Sequence, residues 1–143
     1  MTLNLYQVYL TNNFQSMGKI LSADLKVINL KKKFEKIHKH WDPKIIARMN
    51  DYHFKIAKLQ GDFVWHKHEE TDEVFYIVKG KLSIEFRDGW KQLSEGDMLV
   101  VPKGTEHKPY ADDECHLLMV ETAGTLNTGD ADGVRTVNDP EWI

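Results

Sequence analysis

Two histidines one residue apart constrain this chain more than any other feature in it. His66 and His68 lie in a stretch from Gly61 to Gly80 that also holds Glu73, and a further candidate ligand, His107, follows. In extended backbone, side chains alternate between faces, with about 3.3 Å of rise per residue. His66 and His68 therefore point the same way, close enough to share one ion. Imidazole and carboxylate together suit a divalent Fe, Mn, Ni, Cu or Zn ion, and the ligand types alone do not choose among these. Polar groups buried without partners cost roughly 2 kcal/mol or more each, and one cation satisfies all four side chains at once. The bland alternative is a set of histidines hydrogen-bonded on a wet sheet face, which leaves their shared parity unexplained.

The period of the chain around this stretch is two. From residue 44 onward, short apolar runs alternate with turn signals: Ile45 to Met49, His53 to Gln60, Phe63 to His68 and Glu73 to Val78 read as strands. Leu82, Ile84 and Phe86 alternate with Ser83, Glu85 and Arg87, and Asp88-Gly89 marks a hairpin into Trp90 to Leu93. Met98 to Val101 follows. His107 to Ala111 and Cys115 to Glu121 read as the last two strands, joined by an acidic turn at Asp112-Asp113-Glu114. Many short strands at this spacing predict an all-β sandwich or closed barrel. The last residues, Trp142 and Ile143, are expected to pack back on the body.

Ahead of the strands, Asn29 caps an expected helix from Leu30 to about Trp41, with Leu30, Phe34, Ile37 and Trp41 at helical spacing. His38 and His40 form a second His-x-His. On a helix, residues two apart face differently, so this pair reads as surface histidines. Residues 1–26 carry no recognisable chemistry and read as an N-terminal extension.

Parity also separates candidates near the site. Glu73 shares the face of Phe75 and Ile77, and Asp72 falls opposite, so Glu73 is preferred as the carboxylate ligand. Trp65 reads as packing. Phe75, Met98 and Tyr110 are candidates to line a pocket, with plain core as the competing reading. Both faces of Val74 to Val78 are apolar, which requires a second cover: the N-terminal helix through Phe34 and Trp41, or another subunit.

Composition excludes several classes. The 143 residues suit one domain, and a net charge of −3 gives no electrostatic case for nucleic acid. Lys31-Lys32-Lys33 reads as the wet side of a helix. No stretch approaches the roughly 20 apolar residues of a membrane span, and the N-terminus lacks the apolar core of a signal peptide. The single cysteine, Cys115, lies in an apolar run and reads as core; one thiol fits a reducing compartment, so a cytoplasmic location is expected.

Two motifs carry a resemblance to the cupin superfamily. The first has Gly61, His66-Lys67-His68, four residues, Glu73, then six residues to Gly80; four residues separate Gly61 from His66 where five are usual. The second has Gly96, five residues, Pro102-Lys103-Gly104, two residues and His107, with Ala111 where an Asn usually closes it. The Gly-Thr-Leu-Asn-Thr-Gly run from Gly124 to Gly129 also resembles small bacterial cupins. The resemblance implies a double-stranded β-helix, or jelly-roll barrel, with a short N-terminal helix, spanning 27–143 as one domain. It implies His66, His68, Glu73 and His107 as metal ligands facing the lumen. It also implies a homodimer and a small organic ligand.

Function is less constrained. One expectation is a metal-dependent enzyme, most simply of dioxygenase type, in which Glu73 also serves as base. A sugar or keto-acid isomerase would use the same ligands, but no Lys/Arg cluster is evident to hold a phosphate. The other class is a non-catalytic sensor or store for a small molecule or metal.

Overall fold

The computed structural model describes residues 25–143, so most of the N-terminal extension, 1–24, lies outside the described residues. Among the described residues, one short helix, α1 (Leu30–Phe34), precedes seven strands: β1 (Lys44–Met49), β2 (Tyr52–Asp62), β3 (Glu73–Lys79), β4 (Lys81–Phe86), β5 (Gly89–Ser94), β6 (Met98–Val101) and β7 (His107–Thr122). Every strand pairing among them is antiparallel, which bears out the all-β barrel expectation.

Strand β7 organises the barrel. Its first part pairs with β4, setting Phe86 opposite His107, and its second part pairs with β3, setting Val74 opposite Val120. Along its other edge it pairs with β2. The expected acidic turn at Asp112-Asp113-Glu114 is not a turn. These residues lie within one continuous sixteen-residue strand and form a bulge, where the register with β2 slips between Leu59 and Gly61. The three acidic side chains are exposed at the bulge, so a charge run that looked like a loop is an irregular strand edge. Gly80 packs against it: a Cβ there would lie 2.9 Å from the Glu114 carbonyl oxygen.

Alternation sorts the strands into an inward and an outward face. Ala57, Leu59, Phe75, Ile77, Leu82, Ile84 and Leu117 fill the interior with Cys115. Cys115 is core, as expected, and burial pushes its thiol up to about 12. On the outer face, Phe34 and Ile37 pack with Ile46 and Ile56, and Val78, Leu118 and Ile143 join them. The N-terminal segment thus supplies part of the expected cover through Phe34. The C-terminus returns as expected, with Ile143 N donating to Ile45 O at 3.1 Å.

The helix is shorter than its apolar spacing predicts. Asn29 does cap it, its side chain accepting from Lys32 N at 3.0 Å, but the helix ends at Phe34. Tighter turns follow, and the chain then crosses toward the barrel mouth. Trp41 leaves the outer cover altogether. It adopts a positive φ of 58°, its backbone N–H donates to Lys58 O at 2.9 Å, and its ring stacks on Phe63 at 4.7 Å. Tertiary contact here overrides helical spacing. His38 is exposed, and His40 pairs with Glu114 at 3.0 Å on the surface; both are surface histidines as expected, though they lie beyond the end of the helix.

Candidate metal centre

The expected strand from Phe63 to His68 forms only a single bridge. His66 N donates to His107 O at 3.0 Å and His107 N to His66 O at 2.9 Å. That one rung suffices, because it fixes the two imidazoles side by side, with ring centroids 4.4 Å apart. His68 follows two residues on, and its carbonyl accepts from Gly104 N at 2.8 Å. The Pro102-Lys103-Gly104 turn is thereby tied to the histidine pair. Asp72 completes the tie: its exposed carboxylate accepts from Lys103 N at 2.9 Å, so it holds the loop and is no ligand.

Glu73, the first residue of β3, points inward and is 3% exposed. Its Oε2 lies 3.3 Å from His68 Nε2 and 3.5 Å from His107 Nε2, within ionic reach but without hydrogen-bond geometry. One ligand atom from each of His66, His68, Glu73 and His107 lies within 4.8 Å of the others, and all four residues are buried. These are the four residues singled out from the sequence.

The donor chemistry fits a cation. A backbone carbonyl only accepts, so His66 Nδ1, 3.0 Å from Val64 O, carries the proton; so does His107 Nδ1, 2.9 Å from Thr105 O. In both rings this frees Nε2 for a metal, the usual way a ligand tautomer is fixed. His68 Nε2, Glu73 Oε2 and His107 Nε2 are buried with no hydrogen-bond partner. Three orphaned polar atoms converging in one place are costly unless something charged joins them.

Electrostatics agrees. Burial, helped by the neighbouring His107, lowers His66 to about 4, so it is neutral at pH 7. Burial would raise Glu73, but its contacts with His107 and His68 outweigh it and hold the carboxyl at about 2. For His68, burial works to lower the pKa, and the Glu73 carboxylate more than offsets this, so the net shift is upward. A cation needs a bare Nε2, and the raised His68 pKa means that protons compete with the cation for this nitrogen. Zn(II) uptake near neutral pH is therefore expected to release protons, with affinity falling as pH drops below the His68 pKa. Calorimetry in buffers of different ionisation enthalpy measures this; binding heats independent of buffer would contradict it.

Of the other pocket candidates, Phe75 lines the interior, 2% exposed, its ring perpendicular to that of His107 with centroids 5.9 Å apart. Met98 does not: it is 64% exposed on the outer face. Tyr110 also points away from the lumen, and its hydroxyl donates to Asp112. Trp65 is packing, as expected, with the Arg87 guanidinium 3.9 Å above its ring.

Two features escaped the sequence reading. Lys55 and Glu121 form a buried ion pair inside the barrel. The chain after β7 also straps across the ligand loop: Asp130 N donates to Lys67 O at 3.1 Å, and Lys67 N donates to Asp130 Oδ1 at 2.8 Å.

With this geometry in place, comparison with known proteins is decisive. The family model described as the cupin domain matches residues 52–121, the span holding both motifs. A crystal structure of a cupin-2 domain protein from Shewanella frigidimarina is 51% identical, with a TM-score of 0.67, covering 67% of this chain and 94% of that one. The chain is a cupin. Protein NMB1881 from Neisseria meningitidis, 37% identical with a TM-score of 0.64, matches 68% of this cupin and 100% of its own chain. The uncharacterized protein YdbB of Bacillus subtilis (strain 168) is 38% identical over 64 residues, 44% of this chain; the cupin spans 57% of that relative's length.

Proposed function

We propose that this cupin is a metal-dependent enzyme of dioxygenase type, acting on a small organic molecule. The convergence of three imidazoles and one carboxylate carries the reading. A four-residue set leaves positions open on an octahedral ion, unlike a closed structural site. A bound cation would supply Lewis acidity toward an enol or hydroxyl oxygen. His66, His68 and His107 would hold it with Glu73, and Glu73, on leaving the ion, would take the substrate proton.

The surrounding space favours dioxygen as co-substrate. An apolar cavity of about 30 Å³ lies against His66 and Glu73, walled by Trp41, Phe63, Phe75 and Met119. It has room for about two waters, and an apolar space of that size suits a small gas molecule. A wider cleft of about 430 Å³ opens on the His68 side, between Lys67–Thr71 and Thr122–Asp130. An organic substrate reaches the ligands from there. Isomerisation of a sugar phosphate fits less well, because that cleft carries Glu69, Glu70 and Asp130, and Lys67 is already paired with Glu69 at 2.5 Å.

A homodimer would cover Met98, Val100 and Tyr52, which are exposed on the outer face. Cys115, free and buried, suits a reducing compartment such as the cytoplasm. No helix among the described residues is long and apolar enough to cross a membrane.

The test is oxygen uptake by Fe(II)-loaded protein with catechols, flavonols and diketones. Uptake with at least one class, lost in His66→Ala, is the expected result. Tight ligand binding with no uptake would overturn the enzyme in favour of a sensor.

A further inference from the structure

Two charged side chains inside the barrel serve no purpose in the ligand set itself. Lys55 and Glu121 are each 1% exposed, and Lys55 Nζ donates to Glu121 Oε1 at 2.7 Å and to Thr125 O at 3.0 Å. Taking two ions out of water is costly, and an apolar pair of similar volume fills such a space as well or better. Their placement suggests why they are there. Along β7 the inward residues run Cys115, Leu117, Met119 and then Glu121; along β2 they run Leu59, Ala57 and then Lys55. Val74 pairs with Val120, so one rung further sets Glu73 beside Glu121. Two carboxylates thus sit side by side in a poorly solvated interior, where like charges repel.

Each acid turns to a different partner. Glu121 is held by Lys55, and its second oxygen, Oε2, is buried with no hydrogen-bond partner. Glu73 turns toward His68 and His107. Burial, followed by the Glu73 charge, pushes Glu121 up to about 7 even with Lys55 beside it, so the two carboxyls feel one another.

We propose that the Lys55–Glu121 pair is a positioning layer of the metal centre: Glu121, beside Glu73, turns the ligand carboxylate toward the three imidazoles, and Lys55 keeps Glu121 from competing for the cation. This rests on reading the four-residue cluster as a metal site. Outer partners of metal ligands typically change affinity by about 10–100-fold when removed.

The double variant Lys55→Met/Glu121→Leu removes both charges and keeps the volume apolar, so the fold survives. It is expected to bind Co(II) about 10–100-fold more weakly than the wild type, with a shifted visible spectrum of the bound Co(II). Glu121→Gln, which keeps shape and an acceptor for Lys55, is expected to move both readouts the same way. Thermal melts check folding of each variant. Wild-type affinity and an unchanged Co(II) spectrum in both folded variants would overturn the proposal and leave the metal site standing. A wild-type protein that takes up no Co(II) would instead overturn the metal reading itself, and this proposal with it.

Discussion

A His66→Ala variant is expected to bind Zn(II) or Co(II) about 100-fold more weakly than the wild type. A four-ligand zinc site is worth about 10–16 kcal/mol, so each ligand carries roughly 3 kcal/mol, which is about a factor of 100. His66 is the cleanest ligand to remove. It is already neutral at pH 7, so its loss changes no charge in the protein without metal. Its backbone bridge to His107 does not involve the side chain and survives the substitution. His40→Ala supplies the control: His40 belongs to the other His-x-His, pairs with Glu114 on the surface and faces no carboxylate of the site. A competition titration against a coloured chelator separates the two variants. Equal affinity in His66→Ala and the wild type would remove His66 from the ligand set. The same variant serves as the inactive control for oxygen uptake, so loss of uptake with intact metal binding would assign His66 to the substrate instead.

The four candidate ligands were legible because their geometry is local. His66 and His68 need only extended backbone to face the same way, and alternation from Phe75 and Ile77 places Glu73 inward. No regular strand was required, and none forms between Phe63 and His68. Readings that depended on distant contacts went astray. The helix predicted to reach Trp41 stops at Phe34, because Trp41 is worth more stacked on Phe63 at the barrel mouth than continuing a helical stripe. The acidic run from Asp112 to Glu114 looked like a turn by charge alone, yet β7 passes straight through it by bulging. Lys55 was the most avoidable omission. It shares the parity of Ala57 and Leu59, both buried, and that pattern implied an inward lysine in need of a buried partner. Glu121, at the parity of Leu117 and Met119, was its counterpart. A lysine between apolar neighbours is usually solvated, and that general habit masked the alternation.

The strap after β7 left a weaker trace, a glycine in a tail with little period, and it gives the second large effect. Gly129→Ala is expected to destabilise the protein by about 2–5 kcal/mol and to weaken metal binding along with it. The sum has two sources. Gly129 has φ +51°, where an L residue costs about 1–2 kcal/mol. A Cβ there would also lie 2.1 Å from Lys67 O, and forcing such contacts in a packed region costs about 1–3 kcal/mol. The obstacle is backbone, and it cannot rotate away: Lys67 stands between the candidate ligands His66 and His68, and its carbonyl already accepts from Asp130 N. The same Cβ would come within 3.2 Å of His68 Nδ1. Relief must come from the strap lifting off or the ligand loop shifting, and either disturbs His68. For a chain of this length the melting temperature should fall by roughly 10 °C. Gly124→Ala separates the two sources. Gly124 also has positive φ, +87°, but nothing lies within 4 Å of its Cβ position, so only the backbone cost remains. If the two variants melt together and bind Co(II) alike, the strap does not hold the ligand loop. A larger loss at Gly129, with weaker Co(II) binding in the folded variant, makes that one glycine the point where the tail grips the metal centre.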